Sequence, residues 1–514
     1  MRLTLLSIVL LVGTLAQCQG FNKRYDAFGW GFAQTAFGIE LTPPGFTVIS
    51  SSDDCDSIGV DLFFCHGSVL LTRIGPDGEQ LWEKRAWRPN HTAVAGWANC
   101  CDTIPGGGYI TGGASEAADG SDEVYLMRFD ANGDTLWTRV FGDPNNFFIG
   151  MQVKRTVDGG FIIIGLTGGN FGGNFDGFAI RTDSNGYELW RRSYGWIATN
   201  EYGLISVDLG ANADLFMGGS QFFPDGSGDH WVQRTDEQGD LRWRVSWGGA
   251  FSDGAASITT LRDGHIVVCS GYGYANAYVA IRPYIAKIDS ADGSLMWEQQ
   301  YGPIAYSTGF FAGKETPNGD LIACGVTYAN SGMNNVQQGL LLRTNSEGDS
   351  LWMRSYFFQD DVISNGQGRF YDVLPTPDGG FIAAGSAYNP VGAGFPPGYS
   401  QDTWVVKVDG DGCIVPGCNT VGVTEQATNL LGALSIFPNP AQGRTTISLT
   451  LPPSVANEQL QLCLVAVDGR IVHRQTITGN GQHALALEQL SAGVYHVHIS
   501  ATGKWLTGGK LVLE

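Results

Sequence analysis

The sequence predicts an all-β chain: a seven-bladed β-propeller closed by its own N-terminal strand, followed by a small C-terminal β-sandwich. Three observations carry this expectation. Tryptophan recurs at Trp82, Trp137, Trp190, Trp243, Trp297 and Trp352, at intervals of 55, 53, 53, 54 and 55 residues, and self-similarity at a fixed period marks a repeat architecture. Each period divides into four short β-rich runs separated by Asp/Gly turn signals, which selects four-stranded blades set around an axis. The pattern stops after Cys418, and a different alternation of apolar residues begins at Leu434.

The third repeat shows the unit best. Residues 151–156 read as a modest strand and Asp158-Gly159-Gly160 as a turn. Residues 161–165 (FIIIG) form an apolar second strand, followed by a Gly/Asn-rich loop. Residues 178–182 are a third strand, 183–186 a turn, and 189–194 a fourth strand carrying Trp190. The 73 glycines suit such a turn-dense chain, because glycine supplies the positive φ angles that tight turns need.

Second strands start at Phe46, Tyr109, Phe161, Leu215, Ile266, Leu321 and Phe381, which predicts seven blades. Six are completed by a Trp strand. The seventh runs through Lys407 to Asp409-Gly410-Asp411-Gly412 and meets Cys413 with no tryptophan. Phe21-Asn22-Lys23-Arg24-Tyr25 has the spacing of Trp190-Arg191-Arg192-Ser193-Tyr194 and is predicted to be the missing outer strand. Closing the ring this way removes an exposed sheet edge, an aggregation liability. The propeller then spans residues 21–419. With the inner strands running top to bottom, the Asp-Gly turns collect at the bottom and the long irregular loops on top, where function is expected.

A formal net charge of −20 argues against nucleic acid, whose binding rests on neutralising phosphates. Residues 1–16 read as a signal peptide: Arg2, an apolar run over 3–12, and Thr14-Leu15-Ala16 as the cleavage site. That run is too short for a membrane span and the sequence offers no other. Cys18 raises lipidation as a second reading, which Gln17 disfavours. Ten cysteines in an exported chain invite disulfides. Cys413 with Cys418, and Cys55 with Cys65, are the predicted bridges. Cys269, Cys324 and Cys463 read as buried small hydrophobes.

Candidate sites compete with plainer roles. Asp130-Ala131-Asn132-Gly133-Asp134 resembles a calcium loop, but position twelve is Phe141 where a glutamate is needed, so the run reads as a β-turn. No cofactor is expected; a structural calcium ion among the acidic top loops stays open and unassigned. Arg73, Arg128, Arg181, Arg234, Lys287, Arg343 and Lys407 end every third strand and read as blade-to-blade pairing with carboxylates near the turns. Cys100-Cys101 reads as a dry structural pair, or as partners of Cys55 or Cys65. The histidines lack metal-ligand spacing, and no carboxylate pair of glycosidase type stands out. Top-face aromatics suit stacking on sugars or packing on a protein; Trp87, Phe148, Trp196, Phe223, Tyr274, Phe311 and Tyr399 are the candidate ligand-binding residues.

Residues 420–433 read as a linker and 434–514 as the second domain. This unit resembles the type A C-terminal sorting domain of type IX secretion in Bacteroidetes, through Pro438-Asn439-Pro440, the central Asp468-Gly469, the segment ending Gly493-Val494-Tyr495, and the terminal Lys510-Leu511-Val512. The resemblance implies the type IX secretion machinery as a partner and an extracellular or outer-surface destination. The repeats look like those of secreted propeller proteins from the same bacteria and echo quinoprotein repeats. The function expected is binding of a glycan or surface protein through the long-loop face. The alternatives are a polysaccharide-acting enzyme on that face or a quinoprotein-like oxidoreductase.

Overall fold

The computed structural model describes residues 20–25, 33–54, 66–86, 91–117, 120–142, 146–168, 175–195, 201–223, 227–274, 281–302, 309–331, 334–358, 367–388, 401–415, 418, 434–451, 459–466, 471–501 and 504–514. The signal peptide and linker assignments therefore lie outside the described residues. The fold is all-β. Contacts divide the chain into Phe21–Lys407 and a second unit that contains Val408–Glu514.

In the first unit the described strands build propeller-like sheets that follow one another along the chain, nearly all of them four-stranded and antiparallel. The first comprises Ala33–Thr42, Gly45–Asp54, His66–Ile74 and Gln80–Ala86, innermost to outermost. Six second strands start where the sequence places them; the first begins one residue early, at Gly45. In the second sheet the innermost position is shared by two short strands, His91–Ala95 and Cys101–Thr103, both paired with Tyr109–Ala117.

The FIIIG run shows why the second strands are apolar without alternation. Phe161 and Ile163 pack with Ile110, Val124 and Leu126 of the preceding sheet. Ile162 and Ile164 face the other way, onto Leu204, Leu215, Met217 and Trp231 of the following one. A strand buried on both faces reads as a continuous hydrophobic run.

Phe21–Tyr25 pairs antiparallel with Gln401–Val408, from Phe21 opposite Lys407 to Tyr25 opposite Thr403, and forms the outer strand of the sheet that also holds Gln367–Pro375 and Phe381–Tyr388. Phe21 and Tyr25 are buried with Ile39, Val48, Ile382 and Val405, so residues from the last sheet and the first share one core cluster.

The bottom turns interlock with the outer strands. In five of the turns that lead into outer strands, a glycine at positive φ lies beneath the indole of the preceding sheet: Gly133 under Trp82, Gly186 under Trp137, Gly239 under Trp190, Gly293 under Trp243 and Gly348 under Trp297. A Cβ on Gly186 would fall 2.7 Å from Trp137, so the turn needs glycine for both its backbone and its ceiling. Phe21 covers Gly78 in the same way.

The second unit holds a three-stranded sheet, Leu434–Phe437 beside Arg444–Leu449 beside Gly481–Ala486, and a four-stranded one in the order Ile471–Thr478, Gln459–Ala466, Gly493–Ala501, Lys504–Leu513. One core takes Ile447, Leu449 and Leu485 from the first and Leu462, Val497 and Leu511 from the second. In Arg444–Leu449, Thr445, Ile447 and Leu449 alternate inward.

Candidate functional site

The inner strands carry a repeated irregularity. Their register with the second strands slips between Ala36 and Gly38, Gly150 and Gln152, Leu204 and Ser206, Phe310 and Ala312, and Phe370 and Asp372. A bulge drops one residue from the ladder and re-aims its side chain. The residues dropped are Phe37, Met151, Ile205, Phe311 and Tyr371; in the second sheet the residues between the two short strands supply Trp97.

Four of these side chains meet. Phe37 lies 4.8 Å from Tyr371 and 5.7 Å from Trp97, centroid to centroid. Trp97 stands edge-on to Tyr371 at 5.1 Å and to Phe311 at 5.9 Å. Phe311 and Tyr371 stack at 5.2 Å. Trp97 and Phe311 belong to the second and sixth sheets, so the cluster joins sheets that are not consecutive along the chain. Beside it is a cavity of 360 Å³ lined by Thr35, Phe37, Ser51, Trp97, Met151 and Gln401 among others. Thr35 and Ser51 stand near the ends of their strands opposite the Asp-Gly turns, so the cavity belongs to the long-loop side.

Deeper along the inner strands is a ring of polar side chains. Asp102 accepts the amides of Thr103 and, from the next sheet, Arg155 at 2.9 Å. Asp208 accepts Leu209 and Thr260, the latter at 2.8 Å. Asp372 accepts Val373 and, from the first sheet, Ile39 at 3.0 Å. These carboxylates act as clips between sheets: each satisfies an amide of its own strand and one of its neighbour's. Burial raises the pKa of Asp372 even so, while the Lys314 charge and the two amides oppose the rise. Lys154 sits among them, 3.2 Å from Asn99 Oδ1. Burial disfavours its charge, but Asp102, Asp208, Glu40 and Asp372 outweigh that and hold its pKa above the usual lysine value.

Glu40 accepts no amide of this kind. Burial, reinforced by Asp102 and Asp372, pushes its carboxyl up to about 8, and the Cys101 thiol points at Glu40 Oε1 from 3.7 Å. Cys100 and Cys101 are unbridged and buried. Both sulphurs face Gly38, where a Cβ would lie 2.5 Å from Cys101 Sγ and 3.6 Å from Cys100 Sγ. Burial raises both thiols, Cys100 to about 12. A protonated thiol is a poor nucleophile, and both thiols are packed in the core.

Of the sequence-selected aromatics, Trp87, Trp196 and Tyr399 lie outside the described residues. Phe148 is buried between sheets against Phe178, under the Arg191 guanidinium, and offers no surface to a ligand: its strand, Phe147–Arg155, turns it into the core. Phe223 and Tyr274 are half-buried at separate strand ends. Phe311 alone joins the axial cluster. Phe37 and Tyr371 were missed as binding candidates; the signal available was an apolar residue at one repeat position, with Trp97, Met151 and Ile205 spaced 54 and 54 residues apart.

Five of the seven basic residues ending the third strands pair within their own sheets rather than across them. Arg181 reaches Asp158 at 2.6 Å, Lys287 Asp263 at 2.6 Å, Arg343 Asp320 at 2.6 Å and Lys407 Asp378 at 2.6 Å, and Arg234 pairs with Asp214. Each partner belongs to the turn joining the first two strands. The first sheet has Pro43-Pro44 there, and Arg73 instead bonds the hydroxyl and carbonyl of Thr42. Asp130 spends Oδ1 on the amides of Asn132 and Asp134, at 2.8 and 2.9 Å, as a β-turn requires. Among the described residues no three His, Cys, Asp or Glu side chains form a metal-binding group. His230 is a core residue: Trp247 and Tyr284 stack on it at 5.4 and 4.9 Å, and burial lowers its pKa to about 4.

Cys413 and Cys418 are bridged; Cys55 and Cys65 lie outside the described residues, as do Asp468 and Gly469. In the C-terminal unit Asn439 donates to the carbonyl of Lys510 at 2.7 Å and accepts the amide of Val512 at 2.8 Å. The Pro438-Asn439-Pro440 segment is thereby clamped to the terminal Lys510-Leu511-Val512, and Ala441 bridges Leu513 in parallel. Phe437, Pro438 and Pro440 are exposed around the clamp. Gly493 opens the strand that carries Tyr495, whose hydroxyl donates to Ser491 at 2.6 Å.

No helix among the described residues is long and apolar enough to cross a membrane. No curated protein matches the chain. Solved structures similar to it include the extracellular domain of the putative hybrid two-component system BT3049 from B. thetaiotaomicron, 11% identical over 93% of this chain and 67% of that one, with a TM-score of 0.31. The WD40 domain of SCAP from fission yeast is 9% identical over 76% and 98%, at 0.35. Drosophila Plexin A, solved in complex with Semaphorin 1b, is 10% identical over 78% and 89%, at 0.35. Likeness this distant carries no argument about activity. Residues 435–514 match the model of the secretion system C-terminal sorting domain. The C-terminal unit, with its clamped motifs, is a type IX secretion sorting domain, and the chain that carries it is a type IX cargo protein.

Proposed function

We propose that the chain is an exported seven-bladed β-propeller, closed by Phe21–Tyr25, that binds a glycan or surface-protein partner through its long-loop face. The C-terminal unit is a small sandwich that directs export to the cell surface or beyond. The observation that supports the binding reading is the aromatic cluster of Phe37, Trp97, Phe311 and Tyr371. Most inward residues of a closed ring serve packing between sheets. These four leave the ladder through bulges or the break in the second sheet, and they gather beside a cavity. Aromatic faces bring contact area at low entropic cost, which suits sugars and protein anchors alike.

Glycan-array and surface-protein binding by the exported chain tests this. Retention of a ligand by wild type, and its loss on Ala substitution of long-loop aromatics, supports the reading; binding untouched by every such substitution overturns it. Release of products from a polysaccharide panel would favour the enzymatic alternative.

A further inference from the structure

Resting on that reading, we infer that the axial cavity receives the terminal residue of an uncharged glycan, end-on, and not the interior of a chain. Three observations lead there.

The lining has the chemistry of a neutral, two-faced ligand. Phe37 and Trp97 give aromatic surface, and Thr35, Ser51 and Gln401 give hydroxyl and amide groups. None of the lining side chains is ionisable. A charged ligand group would lose its hydration there without a partner, which is costly. The acidic balance of the chain adds long-range repulsion against anionic polymers. A pyranose presents C–H groups on its faces and hydroxyls at its edge, and both halves of the lining are matched by it. At 360 Å³ the cavity falls in the range of small-ligand sites.

The cavity is also braced. Its walls are tied together by backbone hydrogen bonds between sheets: Asn99 N to Phe37 O at 2.7 Å and Trp97 N to Met151 O at 2.6 Å. Gln152 donates to Ala98 O at 2.8 Å and accepts Val207 N at 2.5 Å, linking three sheets below the rings. Tyr371 and Phe311 fill the remaining side. A polymer cannot thread between walls so tied, and it is an end of the glycan that the inference places in the cavity.

Finally, the polar groups are held in place. Gln401 donates to the Thr35 hydroxyl, and Ser51 Oγ accepts the amide of Ala95 at 2.7 Å. The Gln401 carbonyl oxygen and the hydroxyl protons stay available for a ligand's edge.

The test uses the full exported chain and a panel of linear neutral hexasaccharides, measured by titration calorimetry. Any hexasaccharide that binds is then measured with a bulky aryl group on its reducing end, on its non-reducing end, and on both. Binding should survive one single cap and fall at least tenfold with the other and with both. Trp97→Ala and Gln401→Ala should each weaken binding tenfold or more, with Trp97→Phe restoring most of it, while uronic-acid oligosaccharides bind at least tenfold more weakly. Equal binding of the doubly capped sugar, preference for the acidic sugars, binding of apolar peptides alone, or no binding by any hexasaccharide would each overturn the inference. Binding lost with Phe223→Ala or Tyr274→Ala but kept with Trp97→Ala overturns it too, and leaves the long-loop reading standing.

Discussion

Tyr25 donates its hydroxyl to the carbonyl oxygen of Gly78 at 2.8 Å, the bond that Tyr194 makes to Gly239 at 3.0 Å and Tyr301 to Gly348 at 2.7 Å. The N-terminal strand therefore repeats an outer strand in detail, down to Phe21 over the turn glycine.

That equivalence has an energetic consequence. Phe21→Ala should destabilise the propeller unit by about 3 kcal/mol, the usual cost of truncating a buried phenylalanine. Tyr25→Phe, which removes only the hydrogen bond, should cost about 1 kcal/mol. Denaturant melts followed by tryptophan fluorescence check both; equal stability of wild type and Phe21→Ala would show that the strand does not hold the first and last sheets together.

Glu40 sets a pH dependence. Its carboxyl rises from an ordinary 4.5 to about 8 on folding, so the folded chain holds the proton more tightly than the unfolded chain. The contribution is fully present below 4.5. It declines as pH climbs from 4.5 to about 8, where the unfolded chain has released the proton and the folded one has not. The slope is at most about 1.4 kcal/mol per pH unit. Glu40→Gln should flatten stability over that window, measured as the urea midpoint at several pH values.

The thiols of Cys100, Cys101, Cys269 and Cys324 should resist alkylation in the folded protein. Burial holds Cys100 and Cys269 at about 12 and raises Cys101 and Cys324 as well. Iodoacetamide at neutral pH should label them at least about a thousandfold more slowly than in guanidinium, because the thiolate is the reactive species. Peptide mass spectrometry resolves the sites, and rapid labelling of Cys101 would mean that the packing around Glu40 opens.

Asn439→Ala should loosen the sorting domain. It removes both bonds that join Pro438-Asn439-Pro440 to the terminal strand, at a cost of about 1–2 kcal/mol. Hydrogen exchange at Val512 should quicken, and the exported amount should fall; unchanged exchange would place the clamp's strength elsewhere.

What was legible in the sequence was whatever repeats. Trp190 and Gly239 occupy fixed places in each period, and the FIIIG run announces a strand covered on both faces. Phe21–Tyr25 was found because its aromatic and basic spacing copies the Trp strand. The axial cluster was not legible, since a bulged residue obeys neither the two-residue alternation nor the ladder, and its neighbours come from distant repeats. Phe148 failed for the opposite reason: next to a loop it looks exposed, yet one residue into a strand it turns inward. The direction of the Arg181–Asp158 pairing was equally hidden, because Asp158 and Asp183 both stand in turns near Arg181.

The pairing of Phe21–Tyr25 with Gln401–Val408 also bears on the fate of the tail. Phe21–Tyr25 and Gln401–Val408, far apart along the chain, share a seam, and all its rungs lie upstream of the Cys413–Cys418 bridge. A protease that severs the chain beyond that bridge leaves every rung in place. The sorting domain can be discarded like a luggage label, and the seam stays fastened.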